Sequence, residues 1–194
     1  MLVLLVLINI SFGSVSIPFH EILDILSGNN SSKSSWDLII LHFRLPKAIT
    51  AILVGSGLAI AGLLMQTLFR NPLAGPFVLG ISSGASLGVA LLILGSGIFG
   101  GVLATIAFSS WGLAIASSIG AALVLLAVLV TATKVRNTMS ILIIGLMFGT
   151  VTSAIISVLT FFSDAEKIQQ FIFWGFGNLG NLSWTEILVF FIIY

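Results

Sequence analysis

A serine flanked by glycines is the feature of this sequence that most suggests chemistry. Residues 80–84 read GISSG, a G-x-S-x-G pattern with Ser82 at its centre, and this pattern holds the nucleophilic serine of many hydrolases. Such a serine needs a basic side chain at about 2.6–3.2 Å. The apolar stretch around Ser82 contains no Lys, His, Asp or Glu, and both histidines, His20 and His42, belong to an early polar segment. We therefore expect no catalytic site in this chain.

Composition also argues against cofactor and nucleic-acid chemistry. The sequence has no cysteine and two histidines, so a thiolate-based or His-rich metal site is not expected. Its formal net charge is +1, and no basic patch suggests a polyanionic partner. We expect no cofactor, no metal and no nucleic acid.

The elements that position these residues are membrane-spanning helices. Of the 194 residues, 58% are hydrophobic and 7% charged, against about 25% charged in soluble domains. Apolar stretches of about the length that crosses a bilayer occupy residues 48–67, 77–96, 112–133 and 141–162. Shorter ones begin at Met1 and Trp184. The sequence predicts an all-α integral membrane protein, a polytopic helix bundle of about five to six spans, with the sixth interrupted at Tyr194 as in a fragment of a longer protein.

The few basic residues predict the orientation, because short loops rich in Lys and Arg stay in the cytoplasm. Arg70, Lys134 and Arg136 place loops 68–76 and 134–140 inside. Loops 13–46, 97–111 and 163–186 then lie outside. Residues 98–111 could form an outer connector or extend the fourth span.

The first outer loop has a pattern of its own. Pro18 opens a short amphipathic stretch with Glu21 and Asp24 on the face predicted to meet water, typical of a helix on the membrane surface. Residues 28–35 then predict a flexible turn.

Small residues recur at helical spacing within the spans. Such stripes let helix backbones approach closely, and they predict a tightly packed bundle. The principal members are Gly80, Gly84, Gly88, Gly145 and Gly149, with Gly55 and Gly62 in the second span.

No charge lies inside the four long stretches, whereas proton-coupled transporters use intramembrane Asp, Glu or His. A solute carrier of this kind would take its energy from a partner such as an ATPase. A passive structural subunit also fits.

A longer string carries a family resemblance. Residues 44–94, RLPKAITAILVGSGLAIAGLLMQTLFRNPLAGPFVLGISSGASLGVALLIL, resemble the FecCD-type permease subunit of ABC importers for iron-siderophores, heme and vitamin B12. The shared features are RLP followed by a basic residue, GxxLAxxGxxMQxLFxNPLA.P and LGISSGASLG. The similarity continues through ILIIGLMFG and FWGFGNLGNLSW, and so covers nearly the whole chain.

The resemblance implies a ten-span permease of the bacterial cytoplasmic membrane that imports an iron-siderophore or a related chelate (heme or cobalamin) by alternating access. It implies a second permease copy or homologue as dimer partner, ATP-binding-cassette ATPase subunits on the cytoplasmic face and a substrate-binding protein outside. Residues 1–194 would be one transmembrane permease domain that stops before the second half and its ATPase-coupling loop. The alternative is a scaffold or channel-like subunit without an ATPase.

The resemblance also assigns residues. Arg44 and Lys47 match a basic pair that faces acidic residues of the binding protein, although both could instead reach lipid headgroups. The residues that match the family's cytoplasmic turn are Arg70, Asn71, Pro72 and Pro76. Those that match the inner-gate position of a relative are Thr138 and Met139.

Overall fold

The described part of the chain folds into helices joined by turns and loops, with no strand among these residues. The computed structural model describes residues 1–29, 31–96, 109–135, 137–180 and 182–193. The α-helices in these ranges are α1 (Leu2–Ser11), α2 (Phe19–Leu26), α3 (Ser34–Ile39), α4 (Leu45–Phe69), α5 (Ile81–Ile93), α6 (Ser110–Ala132), α7 (Thr138–Phe161), α8 (Ala165–Gly175) and α9 (Trp184–Ile193). A π-helical segment, Ile40–Arg44, joins α3 to α4, and a 3₁₀ turn, Pro76–Leu79, precedes α5.

Among the described residues, three helices are long and apolar enough to cross a membrane, which confirms the predicted all-α membrane fold. They are Ser34–Phe69, Ser110–Ala132 and Met139–Phe161. The first begins well before residue 48, so the prediction of a loop as far as residue 46 is wrong from Ser34 onward.

The predicted span 77–96 is shorter in the structure. The α-helix covers only Ile81–Ile93, because the chain before it turns. Pro76 opens the 3₁₀ turn, and Gly80 has a φ of 73°, a left-handed conformation that glycine adopts without steric cost. Gly80 therefore precedes the helix that carries Gly84 and Gly88. Residues 97–108 and Arg136, on which the outer connector and part of the charge argument depend, lie outside the described residues.

The chain divides into two compact units, the first formed by Met1–Ile60 and Asn178–Tyr194 and the second by Ala61–Gly177. In the first unit, isoleucines of α1, α2 and the π segment form the core, among them Ile10, Ile22 and Ile40, each at most 1% exposed.

Helix α2 begins after Pro18 as predicted, but the predicted water-facing position of Glu21 is wrong. Its side chain is buried, and its carboxylate accepts hydrogen bonds from the backbone N–H (3.0 Å) and the hydroxyl of Ser32. These bonds hold the pKa of Glu21 below its usual range, with a smaller contribution from His20. The segment predicted as a flexible turn is thus fastened to α2 at Ser32.

The π-helical segment has a cause in the sequence and a partner at the far end of this unit. Pro46 has no N–H, and its ring crowds the carbonyl one turn earlier. Leu45 donates to the Ile40 carbonyl, in the i→i+5 pattern. The next carbonyl, that of Leu41, would need the missing N–H of Pro46 and accepts instead from the indole Nε1 of Trp184 at 3.0 Å.

In the second unit, α5 packs against α6, α7 and α8. One apolar cluster joins Val89 and Ile93 of α5 to side chains of α6, α7 and α8, including Trp174. A second joins Phe69 and Leu79 to Val124 and Val128 of α6 and to the first half of α7.

Candidate functional site

A groove of about 420 Å³ runs between the start of α5 and the middle of α7 in the second unit. Serine, threonine and glycine account for seven of its nine lining residues. The lining residues are Phe77, Gly80, Ser82, Ser83, Gly145, Leu146, Gly149, Thr150 and Ser153.

Glycines bring the two walls of the groove together. A Cβ on Gly145 would lie 2.4 Å from the Val78 carbonyl oxygen, and one on Gly80 would lie 3.0 Å from the Gly145 carbonyl oxygen. Real Cβ atoms essentially never come within 2.4 Å of backbone, and Gly80 also has a left-handed φ of 73°, so glycine at these two positions lets α7 lie directly against the turn before α5. Gly80 and Gly145 therefore lie at a close approach of two backbone segments.

The hydroxyls of the groove are held by their own helices. Ser83 donates to the Gly80 carbonyl at 2.9 Å, Thr150 to Met147 at 2.8 Å, and Ser153 to Gly149 at 2.9 Å. Each oxygen keeps lone pairs for a second partner. Because none of the lining side chains is charged, the groove can offer weak polar contacts but no strong electrostatic trap.

Ser82 lies on the exposed side of this groove. Its neighbours in the groove are other hydroxyls, glycines and apolar side chains.

Behind the groove, α5 and α6 touch backbone to backbone. A Cβ on Gly88 would lie 2.1 Å from the Ala116 carbonyl oxygen, and one on Gly120 would lie 2.2 Å from the Gly84 carbonyl oxygen. Gly84 and Gly88 of α5 therefore lie where the two helix backbones approach most closely. Gly120 was missed, although its spacing of four from Ala116 is the same small-xxx-small signal.

The glycines of the second span do not show the close packing that their spacing predicted. Nothing lies within 4 Å of a Cβ built on Gly55 or Gly62. Among the described residues, then, the predicted close packing at these two glycines is not observed.

The predicted cytoplasmic turn is a well-formed helix end. The N–H of Asn71 bonds to the Gln66 carbonyl at 3.1 Å and that of Arg70 to Thr67 at 3.3 Å, the pair of bonds that defines a Schellman motif. Arg70 has a φ of 47°, so it occupies the left-handed position that usually holds glycine. The side-chain oxygen of Asn71 accepts from Leu73 N–H at 2.9 Å, and Pro72 is exposed.

The predicted inner gate lies at the start of α7. Thr138 is its first residue, and the Asn137 side chain caps the helix by accepting from Met139 N–H at 3.0 Å. The Met139 side chain is 48% exposed. A gating role stays a prediction.

The basic pair of the first unit is split between two environments. Arg44 is half-buried at the end of the π segment, whereas Lys47 is exposed in the first turn of α4. Lys47 lies beside Gly180, since a Cβ built there would be 4.0 Å from the lysine Cδ.

Comparison with known proteins decides what these features belong to. A profile of the FecCD transport family matches residues 1–194. The chain belongs to the FecCD transport family. This match confirms the resemblance found in residues 44–94. It also confirms the prediction of a multi-pass protein of a bacterial cytoplasmic membrane.

Individual relatives of this FecCD chain agree. It is 36% identical to the "Probable iron chelatin transport system permease protein" of Helicobacter pylori, covering 98% of this chain and 56% of the relative. It is 34% identical to the hemin transport system permease protein HmuU of Yersinia pestis, over 97% of this chain and 54% of the relative. It is also 34% identical to the vitamin B12 import system permease protein BtuC of Klebsiella pneumoniae, over 77% of this chain and 43% of the relative.

A solved structure supports the fold. A metal-chelate-type ABC transporter in an inward-facing conformation matches with a TM-score of 0.77 and 29% identity, over 98% of this chain and 55% of the other. The FecCD chain thus spans about half the length of the relatives it matches.

Proposed function

We propose that this FecCD chain is the membrane-spanning permease part of an ATP-binding-cassette importer. It translocates an iron-siderophore or a related metal chelate, such as heme or cobalamin, into the cytoplasm by alternating access. A separate ATPase subunit powers the movement, and the chain carries no catalytic site of its own. The observation that carries this proposal is the uncharged, hydroxyl-lined groove between α5 and α7 in a chain of this family.

The chemistry of the groove suits a large polar cargo that must bind weakly and be released. Its hydroxyl oxygens can accept hydrogen bonds from a chelate, and it has no fixed charge that would retain one. Passage requires contacts that favour entry and are still weak enough for release. Helices α5, α6 and α7 contain no Asp, Glu, His, Lys or Arg, which favours an energy source outside the lipid.

The partners follow from the same proposal. A second permease copy or homologue pairs with this subunit, ATPase subunits bind the cytoplasmic face, and a substrate-binding protein docks outside, where the exposed Lys47 can meet an acidic side chain. The turn at Arg70, Asn71, Pro72 and Pro76 lies inside. Thr138 and Met139 narrow the path on the cytoplasmic side.

Thiol labelling tests the groove directly, because the 194 residues contain no cysteine that would react in the background. We would introduce Ser82→Cys or Ser153→Cys into the importer assembled in membranes and measure modification by a water-soluble thiol reagent. A matched control is Ser118→Cys on α6, which is also exposed but is not among the groove residues.

If the groove lies on the path, both groove cysteines react with the reagent, and saturating chelate slows that reaction. The rate at position 118 is insensitive to chelate. Equal rates at all three positions, unaffected by chelate or ATP, would count against the proposal and favour the scaffold alternative.

A further inference from the structure

The long second span contains a break in its backbone hydrogen-bond ladder. Within the helix Ser34–Phe69, the π-helical segment Ile40–Arg44 is followed almost at once by Pro46. A π segment and a proline are both recognised causes of a kink in a long helix. Because Pro46 has no N–H, the ladder contains no bond from residue 46 that would have to be broken if the span bent here.

The two sides of this break are packed very differently. On its C-terminal side, Pro46, Ala48 and Thr50 of α4 are buried, and the Thr50 hydroxyl donates to the Pro46 carbonyl at 2.8 Å. On its N-terminal side, none of the residues of α3 is buried. A segment with few buried contacts opens at a low free energy. Helix α3 can therefore move while the start of α4 stays in place.

One long-range hydrogen bond closes the break from outside the span. The indole Nε1 of Trp184 donates to the Leu41 carbonyl inside the π segment at 3.0 Å. Trp184 is itself positioned by a capping box, in which Ser183 N–H donates to the Glu186 carboxylate at 2.7 Å and Glu186 N–H to the Ser183 hydroxyl at 3.4 Å. The Trp184 side chain is partly exposed, so water can replace the indole, and the net free energy of such a bond is small.

We propose that the π segment Ile40–Arg44 and Pro46 form a hinge in the second span, and that Trp184 is the latch that holds this hinge through the Leu41 carbonyl. Helix α3 is the arm that tilts when the latch opens. The inference rests on the proposed function, because a permease that works by alternating access has to change shape on its outer side, where the predicted orientation places α3.

Distances between spin labels test the hinge in the importer assembled in membranes. Leu38→Cys and Leu58→Cys place one label on α3 and one on α4, at two exposed positions that lie about 30 Å apart along a continuous helix. The control pair is Ile143→Cys and Val158→Cys, both exposed on the unbroken helix α7. Labelled copies are diluted with unlabelled ones, so that pulsed electron paramagnetic resonance reports distances within one chain.

We expect one principal distance between the labels on α3 and α4 in the natural background. Trp184→Phe should add a second distance and raise its population about fivefold, as for the loss of one hydrogen bond. Pro46→Ala in the same chain should restore the single distance, because it returns the missing N–H to the ladder. The control pair should not change in any variant, which shows that the fold is intact.

An unchanged distribution in Trp184→Phe would overturn the latch, and a second distance that persists in the double variant would overturn the hinge at Pro46. Uptake of an iron-siderophore by the same preparation separates this inference from the proposed function. A hinge that bends in a protein without ATP-dependent uptake would refute the proposed function alone. ATP-dependent uptake with a span that stays rigid in Trp184→Phe would refute the hinge alone.

Discussion

At the scale of single residues, the first unit depends on polar groups that find partners far along the chain. Glu21 bonds to Ser32, eleven residues away, and Trp184 bonds to Leu41 across 143 residues. The sequence could predict the amphipathic helix α2 from its apolar spacing. It could not predict that Glu21 turns inward, because the partner that stabilises the buried carboxylate lies outside the periodic pattern.

The carboxylate of Glu21 predicts a dependence of stability on pH. Its hydrogen bonds from Ser32, with a smaller effect of His20, hold its pKa below the usual range. A lowered pKa means that the stabilisation is present above the pKa of the unfolded chain and is lost as pH falls through the folded value. Thermal unfolding measured between neutral and acid pH should show this loss, and Glu21→Gln should be less stable at neutral pH and lack this part of the pH dependence. Identical pH profiles for the two proteins would contradict the buried, charged state of Glu21.

Trp184 and Pro46 predict a coupled pair of substitutions. Trp184→Phe removes the donor to the Leu41 carbonyl, a loss of about 1 kcal/mol for one hydrogen bond. Pro46→Ala restores a backbone N–H that can take its place. A double-mutant cycle of unfolding free energies should therefore show Trp184→Phe costing less in the Pro46→Ala background. Additive effects would mean that the indole bond does not replace the proline's missing donor.

At the scale of elements, glycine spacing predicted the helix contacts where both backbones are close. Gly84 and Gly88 do contact α6, whereas Gly55 and Gly62, seven residues apart on one face of their helix, would place a Cβ within 4 Å of nothing in the described part of the chain. The spacing of small residues predicts that another helix can come close to this face. It does not predict which helix does so. The left-handed φ of Gly80 also could not be predicted from the sequence, because the apolar pattern typical of a membrane span continues without a break through residues 77–80.

The contact between α5 and α6 predicts a strong effect of one methyl group. Gly88→Ala places a Cβ against the Ala116 carbonyl, where neither backbone can yield cheaply, and should destabilise the protein by about 1–3 kcal/mol. Gly62→Ala is the matched control, because its Cβ meets open space and alanine is the better helix former. Unfolding of the two purified variants in detergent measures the difference. A Gly88→Ala protein as stable as the control would refute the close approach of the two helices.

At the scale of the whole molecule, the motifs of residues 44–94 identified the family, and the helices confirmed the predicted fold class. The chain matches transport-system permeases of iron chelatin, hemin and vitamin B12 with similar identities, so cargo is not separated by overall similarity. The groove explains why in physical terms. Its hydroxyls, glycines and apolar side chains are generic contacts, so under the proposed function several large polar chelates would fit and selection would rest with the binding protein.

The most direct test of import is uptake into proteoliposomes that contain the permease, its ATPase and its binding protein, with radioactive iron bound to a siderophore as cargo. We predict accumulation that requires both internal ATP and the binding protein, and loss of accumulation with a hydrolysis-deficient ATPase. Iron-siderophore flux that proceeds equally without ATP would contradict the account and identify a channel-like subunit instead.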